Sequence, residues 1–255
     1  MLTLVGLGLW DEKGISLTGL DEVKKADTAY AELYTGIWKG SIENLEKMSG
    51  KAVKILKRSD LEDHSGSLME EAQSKNVCLL VPGDPLAATT HADLILQARK
   101  AGIETRVIHS SSVFTAVAES GLQLYKFGKT ATIPLMEKTG NVLPQSVYDT
   151  IKGNLSLGLH TLLLLDIDVE NGKNLGVKDA LRVLDKLDAD GILTDKKIII
   201  MSKLGSAEQK IKYGSMEDLL KIDFGLPAVL VIPGKLHFAE EEVLETFKTQ
   251  IKEKL

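Results

Sequence analysis

Only one cysteine occurs in 255 residues, so no intramolecular disulfide can form. Cys78 lies inside the apolar run Val77 to Val81, which reads as a buried structural thiol in a protein of a reducing compartment. Aromatic residues make up 5% of the chain, and 31 Lys and Arg against 36 Asp and Glu leave a net charge of −5. A whole-chain grip on nucleic acid is therefore not expected, although a local basic patch remains open. No apolar run reaches the roughly 18–20 residues of a membrane span. The N-terminus enters a strand without a basic leader or cleavage site. The expectation is a soluble cytoplasmic protein with no membrane partner.

Several catalytic signatures are also missing. No histidine pair has HxxxH or HExxH spacing, and a lone cysteine makes no thiolate cluster, so no metal is expected. There is no GxSxG and no GxxxxGK[ST]. Gly6-Leu7-Gly8 at the end of the first apolar run starts a dinucleotide fingerprint, but Asp11 stands where the third glycine belongs. NAD and FAD are excluded on that ground. Two glycines at a strand end still leave bare backbone for some other ligand. No internal repeat or low-complexity segment is visible.

What is present is organised around residues 76–114. Val77 to Val81 suits a strand buried on both faces. Pro82-Gly83-Asp84-Pro85 breaks it. Thr89 or Thr90 is expected to cap a helix with Ala92, Ile95, Leu96 and Ala98 apolar. Ala101-Gly102 closes it, and Glu104 to Ile108 is the next strand. A right-handed crossover makes the two strands parallel and sets both turns at the carboxyl edge, where open α/β sheets bind ligands.

Around this unit strands alternate with helices, which gives an α/β fold. Strands are expected at 1–5, 28–34, 53–56, 129–135, 161–165, 197–201 and 228–232. Helices are expected at 18–25, 42–48, 61–75, 146–154, 177–187, 216–222 and 240–254, and Ser110 to Ser112 supply caps for one through Ala118. The helix at 177–187 is strongly amphipathic, with Ala180, Leu181, Val183, Leu184 and Leu187 apolar. A domain boundary falls near residues 112–127.

Asp84 is the leading candidate site residue: a carboxylate on the edge turn could meet a cationic ligand, or could tie only its own turn. His91 is expected to cap or meet solvent, and His64 to be exposed. His109, His160 and His237 end or lead strands and turns. Asp166 and Asp168 read as strand-end polar residues. Lys126, Lys129, Arg106 and His109 could form a basic rim for an acidic acceptor, although such residues more often form a solvated face. Trp10 and Trp38 could line a groove or cover the core edge.

The segments VPGDPLAATTHADL, RVIHSSSVFTAV, YKFGKTATIPL, GLHTLLLLDID and LVIPGKLHFAEEE together resemble the diphthine synthases, a branch of the tetrapyrrole-methylase-like methyltransferases. The similarity covers nearly the whole chain. It implies two α/β domains, 1–112 and 113–255, with the cofactor cleft between them, in a homodimer. It also implies S-adenosylmethionine as methyl donor, held by Leu9, Asp84, Ala87, Ser112, Val113, Leu163, Leu204 and His237. Leu204, in SKLGS where relatives more often carry Arg-Ala, is the least direct of these transfers. The implied reaction methylates the amino group of a 3-amino-3-carboxypropyl-histidine on translation elongation factor 2, leaving S-adenosylhomocysteine. No catalytic residue is nominated. Alternatives are a precorrin-type tetrapyrrole methylase and a non-enzymatic adenine-nucleotide binder.

Overall fold

In a computed structural model, residues 1–169 and 171–249 are described. The chain divides into two compact units, Met1–Ala116 with Val169–Asn171, and Val117–Asp168 with Gly172–Leu255.

The first unit runs β1 (Leu2–Gly6), α1 (Leu17–Lys25), β2 (Thr28–Glu32), α2 (Ile42–Ser49), β3 (Val53–Leu56), α3 (Arg58–Glu62), α4 (Gly66–Ser74), β4 (Val77–Val81), α5 (Ala92–Lys100), β5 (Thr105–Ile108) and α6 (Val113–Ala116). Its five strands are parallel, in the order β3-β2-β4-β1-β5. Alternation along the two central strands divides the core. Leu2, Leu4, Val77, Leu79 and Val81 pack with Leu68, Met69, Leu94 and Ile95 of α4 and α5. Val5, Cys78 and Leu80 pack with Val23 and Leu45 of α1 and α2. Successive strand side chains point to opposite faces, so an unbroken apolar run is what a sheet covered on both sides requires. Burial pushes the Cys78 thiol up to about 12, consistent with an inert core residue.

The second unit runs β6 (Ala131–Ile133), α7 (Gln145–Ser156), β7 (Thr161–Leu165), β8 (Ile167–Asp168), β9 (Lys173–Asn174), α8 (Val177–Leu187), β10 (Ile198–Ser202), β11 (Lys210–Gly214), α9 (Met216–Leu220), β12 (Ala228–Ile232) and α10 (Phe238–Thr246). Its main sheet is mixed, in the order β11-β10-β12-β7-β6, and only β6 and β7 pair in parallel. The apolar face of α8 is buried against this sheet together with Tyr148 and Ile151 of α7.

Several elements differ from expectation. The helix expected over 61–75 is two, because Asp63, His64 and Ser65 interrupt it. The strand over 129–135 shortens to three residues. β11 and the β8–β9 hairpin had no sequence signal: β11 is an edge strand of sequence KIKYG, stabilised by pairing with β10 rather than by an apolar run. α5 starts at Ala92 after His91, with no side-chain cap. Thr89 instead donates its hydroxyl to the Pro85 carbonyl at 2.8 Å. Leu96 is exposed and Leu94 takes its place in the core. The last residues of the expected terminal helix lie outside the described residues; α10 ends at Thr246. No helix among the described residues is long and apolar enough to cross a membrane.

Candidate active site

In the first unit, β4 and β5 flank β1, so the turns that follow all three strands meet at one edge. The chain leaves β1 through Gly8 (φ 79°) and β4 through Gly83 (φ 67°). The two glycines exchange backbone hydrogen bonds, Gly8 N–H to Gly83 O at 3.1 Å and Gly83 N–H to Gly8 O at 2.9 Å. The bare backbone expected to face a ligand at Gly6 and Gly8 is instead covered by the protein itself. A Cβ on Gly6 would lie 2.6 Å from Gly83 O and 2.7 Å from Ser110 Cβ, and one on Gly8 would lie 2.6 Å from Gly14 O. Gly83 differs: the nearest atom to a Cβ there is Ser112 Cβ at 4.0 Å. The open space at this edge therefore borders Gly83.

Asp84 binds more than its own turn. Its Oδ1 accepts from Leu86 N at 3.0 Å, and Oδ2 accepts from Ser110 N at 3.2 Å and lies 2.8 Å from His109 Nδ1. One carboxylate thus joins the turn after β4 to the turn after β5. Its side chain is 14% exposed, so the turn is less surface-lying than its polar sequence suggests. Ser110 donates its hydroxyl to Gly14 O at 3.0 Å. Ser112 is buried and accepts from Phe114 N at 3.3 Å. Leu9, Ala87 and Val113 are half-buried beside these turns. The five residues expected at the site from the first unit, Leu9, Asp84, Ala87, Ser112 and Val113, therefore gather at one sheet edge.

Behind this edge lies a buried acid–base pair that the sequence did not indicate. Glu32, at the end of β2, is fully buried and accepts from Tyr34 N and Thr35 N, each at 3.1 Å, and from the Thr35 hydroxyl. His91, 1% exposed, has its Nε2 3.6 Å from Glu32 Oε1, and neither ring nitrogen makes a hydrogen bond. The cap or solvent contact expected for His91 is not formed, because α5 packs its first turn inward. Burial disfavours both charges. It pushes Glu32 up to about 7 against the bonds from Thr35 and Tyr34, and His91 down to about 4.

The second-unit residues are not gathered in the same way. Leu163 is 0% exposed at the centre of β7, paired with Leu230 on one side and Ala131 on the other. Its side chain is not open to a ligand. β10 and β12 are antiparallel, with Ser202 opposite Ala228. Leu204, buried just beyond β10, and His237, exposed just beyond β12, consequently lie at opposite ends of that sheet. His237 caps α10, its Nδ1 accepting from Ala239 N at 3.3 Å.

Beside His237 is a second network that sequence reasoning missed. Glu240 is 1% exposed and accepts from Gln123 N (2.9 Å), His237 N (2.8 Å), His160 Nε2 (3.1 Å) and the Lys126 ammonium. His160 Nδ1 accepts from Gly234 N at 2.9 Å, which fixes its tautomer. Burial alone would raise the Glu240 carboxyl, but these four donors outweigh it and hold it at about 2. Of the residues considered for a basic rim, Lys126 neutralises Glu240, Arg106 pairs with Glu22 at 3.0 Å, and His109 Nδ1 lies against Asp84. Asp166 is likewise engaged, by Leu135 N and Lys138. Trp38 packs against the first unit's core. Among the described residues, no group of three or more His, Cys, Asp or Glu could hold a metal ion.

Residues 1–220 match the family model for tetrapyrrole (corrin/porphyrin) methylases. The diphthine synthase of Methanocaldococcus jannaschii is 44% identical over 253 residues, 96% of this chain and 98% of that protein. The diphthine synthase of Methanococcus maripaludis is 41% identical over 251 residues, with the same coverage. A crystal structure of a diphthine synthase superposes with a TM-score of 0.88 at 44% identity, covering 97% of this chain and 95% of the other. A putative diphthine synthase from Entamoeba histolytica gives 0.86 at 38%, covering 98% and 99%. With the parallel sheet and its GDP corner in place, these matches over nearly the full length leave one conclusion: the chain belongs to the tetrapyrrole methylase family and, within it, to the diphthine synthases.

Proposed function

We propose that this protein transfers the methyl group of S-adenosylmethionine to the amino group of 3-amino-3-carboxypropyl-histidine on translation elongation factor 2, releasing S-adenosylhomocysteine. The chain is a methyltransferase of diphthamide biosynthesis. The observation that carries the reading is the 44% identity to a diphthine synthase over 96% of this chain and 98% of that protein. The site supports it: the space bordering Gly83 lets a ligand approach backbone, and half-buried Leu9, Ala87 and Val113 offer apolar surface for an adenosyl group. When bound, S-adenosylmethionine supplies a methyl group on a sulfonium that is already a good leaving group.

For the protein the task is alignment and exclusion of water. Leu9, Asp84, Ala87, Ser112 and Val113 are proposed to hold the cofactor, with Leu163, Leu204 and His237 as the second unit's proposed contributors. Since Leu163 has no exposed surface, its contribution would be to shape the strand. A cytoplasmic homodimer that binds no nucleic acid completes the proposal. Labelled S-adenosylmethionine incubated with elongation factor 2 carrying the unmethylated intermediate should label the factor. Label that goes instead to a tetrapyrrole, or to nothing, refutes the assignment.

A further inference from the structure

We propose that His109 is the general base of the reaction, taking the proton from the substrate's ammonium group so that its nitrogen can attack the methyl. This rests on the amine acceptor proposed above. An amine is mostly protonated at neutral pH, and only its free electron pair is a nucleophile.

Few groups at the first unit's ligand edge can take that proton. Both Asp84 oxygens already accept hydrogen bonds. Glu32 and His91 are sealed from solvent. Ser110 and Ser112 are committed to Gly14 O and Phe114 N. His109 is the imidazole at this edge that solvent reaches, with a side chain 68% exposed. Its Nδ1 lies 2.8 Å from Asp84 Oδ2. A carboxylate only accepts, so Nδ1 carries the hydrogen and the neutral ring presents the lone pair of Nε2. Asp84 is itself held by Leu86 N and Ser110 N, so the ring is oriented by a fixed partner. A carboxylate orienting an imidazole through Nδ1 while Nε2 moves the proton is a recurrent arrangement for general bases. The other charged side chain near the end of β5, Arg106, is paired with Glu22 of α1.

The step balances. An N–H bond of the ammonium breaks, its proton passes to Nε2 and the electron pair stays on nitrogen. That pair forms the new N–C bond as the S–C bond breaks and its electrons go to sulfur. The imidazolium then returns its proton to water.

His109→Asn keeps a donor for Asp84 and removes the base. Its single-turnover rate of label transfer should fall by about 100-fold or more, within the usual range for a general base, while calorimetry shows S-adenosylmethionine affinity within about twofold of wild type. The variant's rate should climb with pH, and added imidazole should partly rescue His109→Ala. Independently of activity, the nitrogen-15 shifts of His109 in the free protein should show the Nδ1–H tautomer. A His109→Asn rate and pH profile matching wild type would overturn the role of His109 while leaving the methyltransferase intact, as would the Nε2–H tautomer. No label transfer by the wild-type protein would sink the acceptor assignment and this inference with it.

Discussion

Replacing Glu32 with Gln should remove one arm of a balanced pH response. Glu32 titrates at about 7 in the folded protein against an ordinary 4.5, so folding favours its protonated form. That contribution is complete below the unfolded value and is lost as pH rises through 7. His91 behaves oppositely: lowered from 6.5 to about 4, it favours folding above its unfolded value and costs stability as pH falls toward 4. At about 1.4 kcal/mol per unit, raising pH from about 5 to about 8 costs roughly 2–3 kcal/mol through Glu32 and recovers about 2 kcal/mol through His91. The two nearly cancel in the wild type. In Glu32→Gln the amide oxygen still accepts from Tyr34 N and Thr35 N, and the amide N–H can serve His91 Nε2. The variant should therefore gain about 2–3 kcal/mol on the wild type between about pH 5 and about pH 8. Trp10 and Trp38 both belong to the first unit, so denaturant unfolding followed by tryptophan fluorescence reads the stability of the part that holds the pair. A variant-minus-wild-type difference that does not change with pH refutes the reasoning.

Lys126→Met leaves Glu240 charged and buried without its cation. It should cost about 3–5 kcal/mol in thermal or denaturant unfolding, and pairing it with Glu240→Gln should recover part of that; a loss below about 1 kcal/mol would mean that the network's other donors suffice. Gly6→Ala forces a methyl group against Gly83 O and Ser110 Cβ, both fixed parts of the ligand edge. Calorimetry should show S-adenosylmethionine affinity falling at least tenfold, about 1.4 kcal/mol, and unchanged binding would show that the edge does not hold the cofactor.

Much of this molecule was readable along the chain because the responsible interactions are local or periodic. The unbroken run at Val77–Val81 announces a strand covered on both faces, the spacing of Ala180, Leu181, Leu184 and Leu187 announces α8, and Pro82 to Pro85 announces a corner. Short diagnostic segments sufficed for the family. Where pairing partners set the outcome, the chain was silent: β11 forms because β10 offers it a ladder, and no apolar pattern marks it.

The site divides the same way. Asp84 stood out by its position after a strand. Its bond to His109, 25 residues on, exists because the strand order sets β1 between β4 and β5 and brings their turns together. Glu32 and His91 meet only because the end of β2 and the start of α5 are packed into one dry space, and Leu163 was withdrawn from solvent by neighbours on both sides. Residue type and periodicity establish most of the strands and helices and mark the turns where a site is expected. Which side chains share a hydrogen bond, and which carboxylates lose their water, depends on contacts distant in sequence that form only when the sheets assemble.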